Sequence, residues 1–156
     1  MLITRRSLLS AAVASPVVML SASPSFAQSG RFYNEGGIAI DGSDAVAYFT
    51  LGEPTAGSGD ITYDWAGVTW QFVSEDNRAA FAADPEAYAP QYGGYCAWAM
   101  AQDGGYIATT VPEAWAIVDN KLYLNFSRRI QRRWERDIPG NIAAADANWP
   151  NVLKTV

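Results

Sequence analysis

Two stretches of the chain alternate apolar and polar side chains with a period of two. Ile61, Tyr63 and Trp65 do so before Ala66-Gly67, and Val68, Trp70 and Phe72 do so after it. Alternation on both sides of a glycine turn predicts a β-hairpin with one buried, aromatic face. Ala116-Ile117-Val118 and Lys121-Leu122-Tyr123-Leu124, around Asp119-Asn120, predict a second hairpin. Short apolar runs at Ile38-Ala39-Ile40 and Val46-Ala47-Tyr48-Phe49 read as strands, separated by Asp41-Gly42-Ser43-Asp44. Leu51 to Asp60 is rich in Gly, Pro and Ser and reads as a loop.

Helical signals lie between and after the hairpins. Ser74 is placed to cap a helix whose first turn carries Glu75 and Asp76, as the helix dipole favours. Asp84-Pro85 restarts a helical turn, with Asp84 as cap and Pro85 in the first position. Tyr92-Gly93-Gly94 interrupts it, and Tyr95 to Met100 reads as a short helix ending before Gly104-Gly105. Ser127 caps a helix over about 128–137, Pro139-Gly140 ends it, and Ile142 to Asn148 forms a last short helix. Hairpins interrupted by helices, without a strand–helix–strand rhythm, predict an α+β fold: a small antiparallel sheet with several short helices packed on it.

The amino terminus changes the picture. Thr4-Arg5-Arg6-Ser7-Leu8-Leu9 opens a basic segment, an apolar stretch runs from Leu8 to Leu20, and Ser25-Phe26-Ala27 resembles a cleavage site. The apolar stretch has 13 residues, against the roughly 20 a spanning helix needs. Residues 1–27 therefore read as a cleavable export signal of twin-arginine type, and 28–156 as one domain in the periplasm, exported and soluble. No stable membrane span is expected after its removal. Without Arg5 and Arg6 the net charge moves from −5 to −7, which argues against nucleic acid or anionic lipid as a partner. The chain has no histidine and one cysteine. That excludes intramolecular disulfides, zinc fingers, histidine-based triads and His-ligated metal centres.

The order of motifs resembles the YHS domain family in an exported, single-domain form. The resemblance begins at Asp41-Gly42-Ser43-Asp44-Ala45-Val46-Ala47-Tyr48-Phe49, where the family has a G-x-D-P-V-A-Y-F run, and continues through the hairpin from Tyr63 to Phe72. It takes in Phe81 to Pro90, Tyr92-Gly93-Gly94-Tyr95-Cys96-Ala97, Lys121-Leu122-Tyr123-Leu124-Asn125 and Asp146-Ala147-Asn148-Trp149-Pro150. Such domains occur beside copper-transporting ATPases and some oxygenases, and are similar to a cysteine-rich metal-binding module. The positions of the family's cysteines hold Ala47 and the segment from Val73 to Asn77 here, and Ala45 stands for the usual proline. The resemblance thus implies the fold, not the metal site.

Candidate chemistry is sparse. Arg128, Arg129, Arg132, Arg133 and Arg136 form one basic stripe on a helix, with Ile130 and Trp134 on another face. The stripe suits an anion or a partner protein, since arginine forks match carboxylate and phosphate. The simpler expectation is a solvated face paired with acids such as Glu135 and Asp137. Asp41 and Asp44 could share acid–base work or hold a hard cation, but aspartates in such turns ordinarily bond the backbone. Tyr63, Trp65, Trp70 and Phe72 could line a groove, though their period makes them core. Cys96 and Met100, four apart in a segment read as helical, would share a face and offer soft ligands to Cu(I); both residue types also pack readily in cores. No P-loop, dinucleotide fingerprint or nucleophile elbow is present.

The sequence therefore leads to a non-catalytic binding domain for a small ligand or a periplasmic protein. Its candidate residues are Tyr95, Cys96, Trp98, Arg129, Arg132 and Arg133. The alternative is copper held by Cys96 and Met100, no cofactor being expected otherwise. A carboxylate-dependent enzyme is the remote third reading.

Overall fold

The computed structural model describes residues 30–155, so the export signal read over 1–27 lies outside the described residues. The fold is α+β. It has a four-stranded sheet, a separate two-stranded sheet and short helices. The strands are β1 (Asn34–Glu35), β2 (Ile38–Ala39), β3 (Ser58–Trp65), β4 (Val68–Phe72), β5 (Trp115–Val118) and β6 (Lys121–Leu124). The helices are α1 (Ala47–Thr50), α2 (Glu75–Ala83), α3 (Pro85–Tyr88), α4 (Ala97–Met100), α5 (Arg128–Trp134) and α6 (Ile138–Asn148).

Both expected hairpins form. Trp65 pairs with Val68 across Ala66 and Gly67, and Val118 with Lys121 across Asp119 and Asn120. All four turn residues have positive φ, which is what two-residue loops matching the strand twist require. The larger sheet runs β1-β2-β4-β3 and is mixed, because β2 lies parallel to β4 with Ile38 opposite Thr69. The expectation of one antiparallel sheet is corrected on that point. The strand β3 also begins at Ser58, inside the segment read as a loop.

Phe81 from α2 fills the face of this sheet. Its ring centroid lies 4.8 Å from that of Trp70, 5.2 Å from Phe72 and 5.7 Å from Trp65. Trp70, Phe72 and Phe81 are buried, and Tyr63 and Trp65 pack partly buried against them, so the periodic aromatics are core. A second cluster gathers Tyr92, Ala97, Met100, Tyr123, Trp134, Ala145 and Val152 around the small sheet and the carboxyl-terminal helices.

The run Val46-Ala47-Tyr48-Phe49, expected as a strand, is the helix α1. The cause is Asp44, fully buried: its Oδ1 accepts from the backbone N–H of Val46 at 2.8 Å and of Ala47 at 3.1 Å. Its Oδ2 accepts from Val73 N–H at 2.9 Å and from Asn77 Nδ2 at 2.7 Å. One carboxylate so turns the chain into α1 and clamps it to the start of α2. Asp41 instead accepts from the Tyr33 hydroxyl at 2.8 Å. Asp44 is thus committed to the fold, and among the described residues no group of three or more His, Cys, Asp or Glu is placed to hold a metal.

Ser74 and Ser127 cap as expected, accepting from Asn77 N–H at 3.1 Å and Ile130 N–H at 3.3 Å. Asp84 makes no side-chain cap bond to α3. Pro139-Gly140 does not end a helix either. It lies in the first turn of α6, whose cap is Asp137, accepting from Gly140 N–H at 3.0 Å. Proline suits a first turn because it has no N–H to leave unpaired. No helix among the described residues is long and apolar enough to cross a membrane.

Gly93 joins the two halves. Its φ is +64°, and a Cβ there would overlap the Arg31 carbonyl. Its own carbonyl accepts from Tyr33 N–H at 2.8 Å. Only glycine permits both that conformation and that approach.

Candidate functional site

The helix α4 is shorter than the sequence suggests. Tyr95 and Cys96 lie outside it, and Cys96 is its cap residue with a non-helical backbone. Two contacts from other parts of the chain define its entry: the Cys96 N–H donates to the Ala108 carbonyl at 3.0 Å, and the Trp98 N–H donates to Asn125 Oδ1 at 3.1 Å. Its exit is held by Asn148 of α6, whose Nδ2 donates to the Met100 and Gln102 carbonyls at 2.8 and 2.9 Å.

Met100 is fully buried in the second core cluster. Cys96 is also buried, at 1 % exposure, and lines a surface pocket that Met100 does not. The Cys96 carbonyl accepts from Met100 N–H at 3.0 Å, so the two residues remain one helical turn apart, and among the described residues no group of three His, Cys, Asp or Glu stands with them to hold a metal. The Cys96 thiol donates weakly to Asn125 Oδ1 at 3.8 Å and accepts from Phe126 N–H at 3.3 Å. Burial pushes its pKa up, against the lowering by neighbouring backbone groups, so it stays a neutral thiol past the usual range.

The pocket is an open cavity of about 240 Å³ lined by Cys96, Trp98, Ala99, Tyr106, Ala108, Phe126 and Ile130. Its walls come from three places: α4, the loop that follows it, and the start of α5. Tyr106 and Phe126 are 47 % and 52 % exposed, and both sit on this one site. Clustering of large exposed apolar side chains around a concavity marks a contact surface more often than isolated exposure does.

Arginines border it. A shallower depression lined by Phe126, Ser127, Arg129, Ile130 and Arg133 shares Phe126 and Ile130 with the cavity. The Arg133 guanidinium carbon lies 5.9 Å from the Trp98 ring centroid, within cation–π range, which joins the stripe to the pocket wall. Arg129, Arg132, Arg133, Glu135 and Arg136 line a neighbouring groove. The expected pairing of the stripe with nearby acids does not occur. The ion pairs among the described residues are Arg31–Glu86 and Arg78–Glu75, and none involves α5. Glu135 accepts from Gln131 Nε2, and Asp137 caps α6.

Of the residues singled out in the sequence, Cys96, Trp98, Arg129 and Arg133 come together here, with Arg132 in the adjoining groove. Tyr95 does not. Its hydroxyl donates to the Gly30 carbonyl at 3.0 Å and its ring packs near Tyr33. Tyr106, Ala108, Phe126 and Ile130 were missed. Phe126 carried a usable signal, since it stands directly before the Ser127 cap, where no hairpin or helix pattern claims it. Beside the pocket, Asn125 is fully buried with its Nδ2 unpaired among the described residues. No family model matches the chain, and comparisons with curated proteins and with solved structures likewise return no match.

Proposed function

We propose that this protein is a periplasmic binding domain of YHS type, without catalysis of its own, that holds a small molecule in the pocket between α4 and α5. The motif order from Asp41 to Pro150 supports the family, and the Arg5-Arg6 leader supports export. The observation that carries the binding role is the cavity of about 240 Å³ with Trp98, Tyr106 and Phe126 at its wall and mouth. An apolar cavity of about 150 Å³ is enough for a benzene ring, so this one takes a single ring with a substituent. It lies below the usual range of drug-sized sites, which starts near 300 Å³. Copper is not part of this reading, because the cavity itself offers one soft ligand, Cys96.

Toluene is the simplest probe of the cavity alone. Isothermal titration should show saturable binding that Ala108→Phe, which fills the cavity, abolishes. Binding that is absent, or that Ala108→Phe leaves unchanged, would contradict the assignment.

A further inference from the structure

The cavity and the depression beside it share Phe126 and Ile130, and Arg129 and Arg133 of the stripe line that depression. We infer that the ligand is a single-ring aromatic carboxylate, its ring in the cavity and its carboxylate held between Arg129 and Arg133. This rests on the cavity being the binding site, and adds the ligand's chemical class.

Four observations support it. Arg129 and Arg133 are one helical turn apart, where like charges repel and destabilise the helix. Neither has an ion-pair partner among the described residues. Five of the nine basic residues after position 27 lie between 128 and 136 in a chain whose net charge is otherwise strongly negative. A carboxylate between the two guanidinium groups removes the repulsion and accepts charge-assisted hydrogen bonds from both. The fourth observation concerns the rest of the ligand. Trp98, Tyr106 and Phe126 give an aromatic ring edge-to-face or offset partners, and the cavity volume limits it to one ring. Arg133 itself is positioned by Trp98, so filling the cavity and orienting the anion clamp are coupled.

Four probes separate the contributions in one titration series: phenylacetate, the neutral phenylacetamide, toluene and acetate. Phenylacetate should bind about tenfold tighter than phenylacetamide, the gain expected for one charge-assisted contact. The gain should shrink as salt rises through the range where screening lengths fall below about 10 Å. It should vanish in Arg129→Gln/Arg133→Gln. Arg129→Lys/Arg133→Lys should retain only part of it, because the charge stays but the fork is lost.

Equal binding of phenylacetate, phenylacetamide and toluene would overturn the carboxylate assignment and leave the cavity as the site. Acetate competing as strongly as phenylacetate would overturn it too, by placing the anion away from the ring. Failure of all four probes, toluene included, would remove the binding role itself. Sedimentation at rising protein concentration covers the remaining occupant: a dimer that phenylacetate cannot disperse would put a second copy in the groove and overturn the inference.

Discussion

Asp44 and Asn125 are both fully buried, yet their surroundings treat them in opposite ways. Each oxygen of Asp44 accepts two N–H donors, and together these bonds define α1 and the approach to α2. Asn125 uses its Oδ1 for Trp98 N–H and the Cys96 thiol but leaves Nδ2 unpaired among the described residues. The same contrast holds at the surface. Around the four-stranded sheet, Arg31 and Arg78 are each paired with a glutamate, whereas the five arginines from 128 to 136 have no ion pair among the described residues. In the sheet region polar groups are committed to the fold; around α4 and α5 several remain available. Incomplete internal satisfaction is uncommon in native cores and tends to occur where function competes with stability.

The sharpest way to break the comparison is to remove both side chains in turn. Asp44→Ala leaves three backbone N–H groups and the Asn77 amide without their acceptor. It should cost about 3 kcal/mol or more. Asn125→Ala loses one good hydrogen bond and one weak one, and should cost about 1–2 kcal/mol. Denaturant unfolding of both variants checks the order; a larger loss at Asn125 would reverse the contrast.

Gly93→Ala comes next. The substitution forces a side chain into a positive-φ position that also overlaps the Arg31 carbonyl, at about 2 kcal/mol or more. The Tyr33–Gly93 bond should open first, so Tyr33 N–H exchange should quicken ahead of the hairpin amides. Uniform acceleration would show that this junction is no weaker than the sheet.

Alkaline pH provides a smaller effect that involves both regions. Burial, reinforced at Tyr92 by the hydroxyl's bond to Asp146, raises the pKa of Tyr92, and burial also raises that of Tyr48. A folded-state pKa above the unfolded value of about 10 means that stability is fully present below pH 10 and falls as pH rises beyond it. Tyr92→Phe should make that fall shallower in urea melts between pH 9 and 11. An unchanged slope would show that Tyr92 does not contribute to it.

The smallest effect sharpens the contrast most. Arg129→Gln/Arg133→Gln should change stability by no more than about 0.5 kcal/mol, because the lost Arg133–Trp98 contact offsets the like-charge i,i+4 pair that disappears. Arg78→Gln, which breaks an exposed pair with Glu75, should instead cost a few tenths. A loss above about 1 kcal/mol on removing Arg129 and Arg133 would mean that the stripe is structural.

Much of the sheet region was legible in the sequence because its signals are local. Period-two aromatics, two-residue turns and the Ser74 and Ser127 caps each depend on neighbours in sequence. The misread elements depend on distant partners. Val46 to Phe49 is a short apolar run, which periodicity cannot assign; Asp44's bonds to Val46 and Ala47 N–H turn it into α1, and its bonds to the distant Val73 and Asn77 hold Asp44 in place to do so. Likewise, the start of α4 was not legible, because the distant Ala108 and Asn125 hold Cys96 and Trp98 at its entry. Part of the site was legible as chemistry: Cys96 and Trp98 in the cavity wall, and Arg129 and Arg133 beside it. Tyr106, Ala108 and Ile130 were not, because a concavity made from three separated segments leaves no pattern in any one of them. Tyr95 was drawn in by its neighbours and belongs to the sheet side of the molecule.

The most direct test of the pocket assignment is a backbone amide NMR titration with phenylacetate. Saturable shifts should be concentrated at 96–99, 106–108 and 126–133, while Val46, Ala47 and Val73, bound to Asp44, stay fixed. Shifts scattered over both regions, or none at millimolar phenylacetate, would contradict the placement of the ligand between α4 and α5.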